Sequence, residues 1–479
     1  MSSMNGVTQK ERSMLLAATS ISYILVILDS SIVNVALPSI GASIGVSITG
    51  LQWIVNAYLV IFASFLLSGG SFCDRFGARR IYMLGLSLFV GASLLCGAAT
   101  SIYMLLLGRV LQGYGAALLV PSSLALIIHA YEDATERSRA IATWASWGGL
   151  AMVLGPLTGG LFIKLFGWRS IFLVNVPIGL VGIGLTLRLV QADVRNRQRR
   201  IDFVGQITAN VAAVSLIASL IEGPVLGWTS LPILCGAGVF LVSATAFGVA
   251  ETRSPQPMLP FSLFCNRNFS AIAYMFFVGT LAFFGNLFVL SFYFQEVCHF
   301  SALQTGLALF PLSCCVVVGN KITARLVSRF SPRSLMLLGE SLKIPGFCGL
   351  LLVRSHSDYM YLIIPLSLIG LGGGLAAPMY TSLFMSSVGQ AFTGIASGVS
   401  RATGQVGSAV GVALFGALIA EARHSETVPF VDRMTITIFI VAALTVSIVL
   451  TIRFIVRDVH AMAYRRAEAP VGEARKWST

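Results

Sequence analysis

Charged residues are scarce in this sequence, and their scarcity excludes an ordinary soluble protein. Asp, Glu, Lys and Arg make up 11% of the 479 residues, against roughly 25% in a typical soluble domain. Hydrophobic residues make up 56%, and the mean hydropathy is +0.85. A soluble fold cannot bury that much apolar surface, so we expect a membrane protein.

The sequence also lacks the motifs that carry common enzyme chemistry. The eight cysteines include no C-x-x-C pair and fall mostly in apolar runs, as small buried side chains do. Neither a G-x-x-x-x-G-K-[ST] phosphate loop nor an H-E-x-x-H pattern occurs, and the five histidines are isolated. We therefore expect no enzyme, no ATP-driven pump, no bound metal and no cofactor.

What the chain does contain is a series of apolar stretches, each close to the ~20 residues that cross a bilayer as a helix. About fourteen such stretches follow one another, so the predicted fold is an all-α polytopic membrane protein. The net charge of +13 comes from Lys and Arg scattered through short loops rather than gathered in one basic region. This distribution argues against a nucleic-acid partner and favours the lipid bilayer as the partner.

The distribution of basic residues tests the number of spans, because one miscounted span would invert every later loop. With a cytoplasmic N-terminus and fourteen spans, most Lys and Arg residues fall in the inner segments. The outer loops hold only Lys164, Arg169, Arg354, Arg423 and Arg433. This asymmetry favours fourteen spans with both termini cytoplasmic.

The spans are arranged as six, two and six. We predict an N-terminal six-helix bundle over residues 1–190. A basic loop and two additional helices, with the loop that follows them, occupy 191–268, and a C-terminal six-helix bundle occupies 269–460. The remainder, 461–479, is a cytoplasmic tail. Two six-helix repeats around a central site are a transporter architecture.

Four sequence motifs identify a family resemblance. Residues 70–80 read GSFCDRFGARR, residues 109–117 read RVLQGYGAA and residues 149–160 read GLAMVLGPLTGG. In this order they resemble the cytoplasmic loop, span 4 and antiporter motifs of the major facilitator superfamily. Residues 28–38, LDSSIVNVALP, resemble the end of span 1 in its fourteen-helix drug:proton antiporter branch.

The resemblance implies proton-coupled efflux of lipophilic small molecules by alternating access. The expected partners are therefore a small-molecule substrate, protons and lipid, for a monomer in a cell membrane, specifically a bacterial inner membrane. One alternative is an exporter dedicated to a single metabolite or self-made antibiotic. A more remote alternative is a non-transporting receptor or a channel on the same fold.

Asp29 and Arg109 are the candidate proton-coupling residues. At 1.5 Å rise per residue both lie roughly 10 Å below the outer surface, on spans 1 and 4. Burial disfavours a charged carboxylate whereas a nearby guanidinium favours it, so a carboxyl group between the two influences can bind and release a proton. A static structural pair is the alternative.

Other polar side chains at bilayer depth form two groups. Asn34, Asn56, Tyr58 and Gln112 fall near the depth of Asp29 and either line a polar cavity or join helices by hydrogen bonds. In the second half, Glu340, Lys343 and Arg401 lie at similar depths, and we expect them to form one charge cluster. This cluster is either a structural ion pair or a second proton or substrate site.

Two motifs are candidates for conformational control. By resemblance, Asp74, Arg75, Gly77 and Arg79 latch the two halves in the outward-open state; a solvated loop that only sets topology is the alternative. Gly155, Pro156, Gly159 and Gly160 remove side-chain bulk and one backbone donor. They are expected to allow close helix packing and a bend in span 5.

Overall fold

The computed structural model describes most of the chain outside its termini and a few loops. The described residues are 9–131, 133–189, 202–254, 257–327, 329–352, 358–388, 393–424 and 430–456. Nearly all of the predicted basic loop (191–201) and the whole predicted tail (461–479) lie outside them.

The described residues are nearly all helical, and none of them lies in a β-strand. The α-helices are α1 (Gln9–Ile44), α2 (Ile48–Phe76), α3 (Ala78–Gly97), α4 (Ile102–Ala130), α5 (Ala134–Phe166), α6 (Ser170–Leu173), α7 (Asn175–Leu189), α8 (Phe203–Leu226), α9 (Leu231–Arg253), α10 (Arg267–Phe292), α11 (Ala302–Ala308), α12 (Phe310–Leu326), α13 (Pro332–Leu350), α14 (Met360–Ser386), α15 (Thr393–His424) and α16 (Phe430–Phe454). A 3₁₀ turn (Phe261–Cys265) precedes α10, and a π turn (Tyr293–Val297) follows it.

Thirteen helical segments of the described chain are long and apolar enough to cross a membrane. In this set α6 joins α7 as one segment and α11 joins α12. Helix α13 is 19 residues long but is not among the thirteen, because it contains Arg333, Glu340 and Lys343. The predicted all-helical, multi-pass membrane fold is confirmed, whereas the count of fourteen spans stays a prediction.

The junction between α2 and α3 shows how the sequence ends a helix. Gly77 is the single residue between the two helices, and its φ of 98° lies in the region that favours glycine. Its N–H still donates to the carbonyl of Cys73 at 2.9 Å. A residue with a Cβ would strain this junction, so the glycine sets the direction of the chain between the two helices.

The long helices form two groups of neighbours, which we call the first half (α1–α7) and the second half (α10–α16). In the first half α4 packs on α2 and α3, and α1 packs on α5. In the second half α10 packs on α15, and α14 packs on α12 and α13. Helices α8 and α9 pack on each other, and α8 also contacts α2 and α15.

Helix α9 lies at the edge of the molecule, since only 6% of its apolar span is buried. Leu231, Leu241 and Val242 are among its exposed side chains. An apolar helix with almost no protein contact on one face is suited to a lipid surround. The two extra helices are thus placed outside the six-helix groups, with α8 bridging them.

The two halves meet closely at the end of the molecule where α1 ends and α2 begins, which we call the α1–α2 end. There Gln52 Nε2 donates to the carbonyl of Ala413 at 2.8 Å, and Gln295 Nε2 donates to the carbonyl of Val35 at 3.0 Å. Both hydrogen bonds join a helix of one half to the other half. The structure therefore has the two halves closed together at this end.

Candidate functional site

The structure places Asp29 of α1 and Arg109 of α4 in direct contact inside the first half. Arg109 Nη1 lies 2.5 Å from Asp29 Oδ2. Each residue is 1% exposed. The two side chains, which the sequence places at a similar depth, contact each other directly, and both face the protein interior rather than lipid.

Further donors converge on the same carboxylate. Asp29 Oδ1 accepts from Gln112 Nε2 at 3.2 Å and from Asn175 Nδ2 at 3.3 Å. Ser93 Oγ accepts from both of these amides, at 2.8 Å and 3.4 Å. Gln112 also accepts from Arg109 Nη1 at 2.8 Å. Four helices, α1, α3, α4 and α7, therefore hold one carboxylate in a network of amides and a hydroxyl.

The guanidinium of Arg109 is enclosed on its other sides. Its Nε donates to the carbonyl of Ile54 at 3.0 Å, and its Cζ lies 4.4 Å from the ring centroid of Tyr58. Phe172 presents a second ring at 5.8 Å. A cation over an aromatic face is stabilised by about 0.5–2 kcal/mol. Arg109 is thus held rigidly, and Tyr58 is part of its site.

The electrostatic consequence is that the site is balanced in only one protonation state. A buried ion pair with good hydrogen bonding is tolerated, but removing the charge of one partner leaves the other uncompensated, at a cost of about 3–5 kcal/mol. A proton arriving on Asp29 would impose that cost on Arg109. The two charges are therefore stabilised as a pair, and loss of either one would destabilise this arrangement.

Two predicted cavity-lining residues do not join this network. Asn34 Nδ2 donates to the carbonyl of Ser30 at 3.2 Å, and its Oδ1 has no hydrogen-bond partner. Asn56 is fully buried, and both of its side-chain polar atoms lack a hydrogen-bond partner. Of the four residues predicted to line a cavity, only Tyr58 and Gln112 contact the Asp29–Arg109 pair.

The predicted latch residues lie at the end of the molecule opposite the α1–α2 end. Asp74 and Arg75 are exposed, and Arg75 lies over the ring of Phe76 at 5.5 Å. Arg79 Nη2 donates to the carbonyl of Leu187 on α7 at 3.5 Å, a contact within the first half. The latch between the two halves remains a prediction.

The glycines of the span-5 motif lie where three helices approach one another. A Cβ at Gly155 would collide with the side chain of Ser31, and one at Gly159 would collide with Ile32, both on α1. On the other face of α5, a Cβ at Gly160 would lie 2.5 Å from the carbonyl oxygen of Ala302 on α11. Helix α5 therefore contacts both its own half and the second half without intervening side chains.

Gly306 of α11 completes this close approach, since a Cβ there would collide with the backbone of Pro156 and Leu157. We call this contact between α5 and α11 the α5–α11 seam. It lies at the α1–α2 end, where the two halves are closed. Any state open at that end must separate the seam.

The second-half charges are only partly grouped as predicted. Lys343 Nζ lies 2.6 Å from Glu340 Oε1, and Tyr380 Oη donates to the same oxygen at 2.5 Å. Glu340 is fully buried and its Oε2 has no hydrogen-bond partner. The pair borders a cavity of about 50 Å³ that Asn286 and Thr445 also line.

Arg401 does not join this pair, which corrects the expected three-charge cluster. Its Nη1 donates to Tyr23 Oη of α1 at 2.7 Å. Its Cζ lies 5.0 Å from the ring centroid of Trp144 on α5 and 5.3 Å from that of Tyr23. Depth along a helix placed Arg401 near Glu340, but its side chain extends to the first half instead.

Several residues of these sites were not expected to act in them. Asn175 could have been noticed, because it is a polar amide in an apolar stretch, three residues after Phe172. Ser93 could not, because a single serine among apolar residues is common in a membrane helix. Tyr380 likewise gave no signal. Their roles depend on which helix faces meet, which sequence periodicity does not specify.

Comparison with known proteins agrees with this architecture. The family model described as Major Facilitator Superfamily matches residues 19–412. The chain belongs to the major facilitator superfamily. It is therefore a multi-pass membrane transporter rather than an enzyme.

Similar members of the superfamily include two from bacteria. A methylenomycin A resistance protein of Bacillus subtilis is 36% identical over 405 residues, which cover 84% of this chain and 87% of the relative. The multidrug resistance protein Stp of Mycobacterium tuberculosis is 34% identical over 418 residues, covering 87% and 78%. A crystal structure of the peptide transporter POT matches with a TM-score of 0.66, 14% identity and 94% coverage of each chain, which shows the shared fold.

Proposed function

We propose that this superfamily member exports lipophilic small molecules in exchange for protons by alternating access. The names of its relatives support export, since a methylenomycin A resistance protein and a multidrug resistance protein align over more than four fifths of the chain. The buried Asp29–Arg109 pair carries the proton-coupling part of the proposal. An ionisable pair in the interior of a membrane bundle is costly and is retained chiefly for function.

The proposed cycle starts from the state in which the halves are closed at the α1–α2 end. In this state Asp29 is paired with Arg109. Protonation of Asp29 cancels its charge and leaves Arg109 buried among Tyr58 and Phe172 without a counter-charge. The ionised and the protonated form therefore favour different arrangements of the first half, so a proton that arrives when the α1–α2 end is open changes the preferred conformation.

The orientation follows from the basic loops. If both termini are cytoplasmic, the α1–α2 end faces outward, and the closed α5–α11 seam blocks the outer path. The exchanged proton enters when this seam opens, and substrate is released on the same side. The predicted domain boundaries, a monomeric state and residence in a bacterial inner membrane belong to the same proposal.

The proposal is tested first by finding a substrate. An efflux-deficient bacterial host producing the protein is challenged with a panel of lipophilic antibiotics and dyes, beside a host carrying Asp29→Asn. Resistance to several unrelated compounds, lost in Asp29→Asn, supports the proposal. Resistance to a single compound class supports the dedicated exporter instead.

Proton coupling is then tested with purified protein in liposomes under an imposed pH gradient. Asp29→Asn keeps the size of the side chain but cannot titrate, so uphill transport should be abolished while the protein still folds. Asp29→Glu should retain part of the activity with a displaced pH profile, because the carboxyl group moves by one methylene. Glu136→Gln, on a partly exposed side chain that pairs with Arg12, is the matched control. Wild-type accumulation by Asp29→Asn would move the proton site elsewhere.

A further inference from the structure

Arg401 lies between the two halves with an aromatic pair against it. Tyr23 of α1 and Trp144 of α5 stack with ring centroids 3.9 Å apart and an interplanar angle of 19°. Arg401 reaches them from α15 and contacts both rings. A cation of one half therefore contacts two buried, stacked rings of the other half.

No carboxylate of the described chain forms an ion pair with Arg401. Asp29 pairs with Arg109, Glu340 with Lys343 and Glu136 with Arg12. Cation–π contacts stabilise a guanidinium by up to about 2 kcal/mol but leave its charge in place. Arg401 is thus a cation without a counter-charge in the part of the chain that the structure describes.

The position of Arg401 leaves it available to a ligand. Along α15 it lies roughly 18 Å from Ala413, at 1.5 Å per residue, on the side away from the closed α1–α2 end. Its side chain is partly exposed, and its Nη1 bond to Tyr23 uses one donor of a five-donor fork. The remaining N–H groups have the geometry that binds a carboxylate with two parallel hydrogen bonds.

We propose that Arg401, held in place by Tyr23 and Trp144, binds the acid group of an organic anion, so that the exported substrates are lipophilic carboxylates or similar oxyanions. This assignment rests on the proposed export function and narrows its substrate class. The guanidinium binds the acid group, while the buried rings of Tyr23 and Trp144 fix the position of the guanidinium. Because Tyr23 and Trp144 of the first half hold Arg401 of the second half, the bound acid group is linked to both halves through this side chain.

A purely structural role for Arg401 makes a different prediction. If the side chain only bridges α15 to α1, its replacement weakens every ligand alike, whether or not the ligand is charged. A charge-recognition role instead changes the ratio of affinities between an acid and its neutral analogue. That ratio is what needs to be measured.

The experiment uses 1-pyrenebutyrate and its amide, which share one skeleton and differ in charge. Binding to the purified full-length protein is followed by energy transfer from tryptophan to pyrene, with protein-free detergent as the blank. Wild type should bind the carboxylate at least about tenfold more tightly than the amide, as a charge-assisted bidentate hydrogen bond allows. Arg401→Gln should bring the two affinities together, and Arg401→Lys should keep part of the preference.

Arg267→Gln is the matched control, because it removes an exposed arginine at the start of α10 and should leave the preference unchanged. Thermal unfolding of each variant establishes that it is folded. Equal binding of both probes by wild type, no binding of the carboxylate, or an undiminished preference in Arg401→Gln would each overturn the assignment. Any of these results together with intact pH-driven export would leave the export function standing, whereas loss of uphill transport by wild type would remove both.

Discussion

At the scale of single residues, the two buried ion pairs differ in how completely they are enclosed. Asp29 receives donors from Arg109, Gln112 and Asn175 on both oxygens. Glu340 receives two donors on Oε1 and none on Oε2. Both carboxylate oxygens of Asp29 therefore accept hydrogen bonds, whereas Oε2 of Glu340 accepts none and its side chain borders a small cavity.

The Glu340–Lys343 pair predicts an asymmetry between single and double variants. Glu340→Gln should destabilise the protein by roughly 3 kcal/mol, because it leaves the Lys343 charge, only 16% exposed, without its partner. The double change Glu340→Gln with Lys343→Gln should recover most of that loss, because no buried charge remains. Thermal unfolding in detergent measures both.

Transport under a pH gradient then distinguishes a structural role of the Glu340–Lys343 pair from a proton-carrying role of Glu340. A double variant that is stable and couples protons normally means that the pair is structural. A stable double variant with a lowered proton-to-substrate ratio means that Glu340 carries a second proton. Equal stability of wild type and Glu340→Gln would contradict the buried-pair argument itself.

At the scale of helices, closure at the α1–α2 end depends on the absence of side chains. Gly155 and Gly159 bring α5 onto α1, while Gly160 and Gly306 bring α5 onto α11. The sequence predicted close packing at this motif but not its partner in the second half. Periodicity assigns a face to each helix, whereas the neighbour of that face is decided by the assembled bundle.

The α5–α11 seam predicts that Gly160→Ala shifts the conformational equilibrium. The added Cβ meets the Ala302 carbonyl at 2.5 Å, a backbone atom that cannot rotate away, so the state closed at this end should become less populated. Hydrogen exchange of the α11 amides should therefore become faster. The same substitution at Gly149, where a Cβ meets nothing within 4 Å, should leave exchange unchanged. Unaltered α11 exchange in Gly160→Ala would show that the seam can relax without opening.

At the scale of the whole molecule, topology depends on whether α13 crosses the membrane. Its three charged residues place it outside the thirteen segments selected by length and hydropathy. Two of those charges neutralise each other inside the second half, and α13 packs along α14 and α16. A helix can cross a bilayer with internal charges when they pair within the bundle.

Fourteen spans predict a specific labelling pattern in intact cells. In a background whose eight native cysteines are replaced by serine, a cysteine at Ser230, between α8 and α9, should react with a membrane-impermeant thiol reagent, because the α1–α2 end faces outward. A protease-cleavable tag after Thr479 should be protected until the cells are opened. Gly70→Cys, near the opposite end of α2, is the matched internal position and should stay unlabelled. A tag accessible in intact cells would mean an odd number of spans.

The sequence by itself determined that the chain is a helical membrane protein, because long apolar stretches leave few other folds, and basic loops bias its orientation. It also placed Asp29 and Arg109 at one depth, because depth follows from helical rise alone. Only the tertiary structure decided which side chains meet at a given depth. Glu340 and Arg401 had similar predicted depths, yet Arg401 contacts Tyr23 and Trp144, because lateral contact depends on helix rotation and on which helices are neighbours.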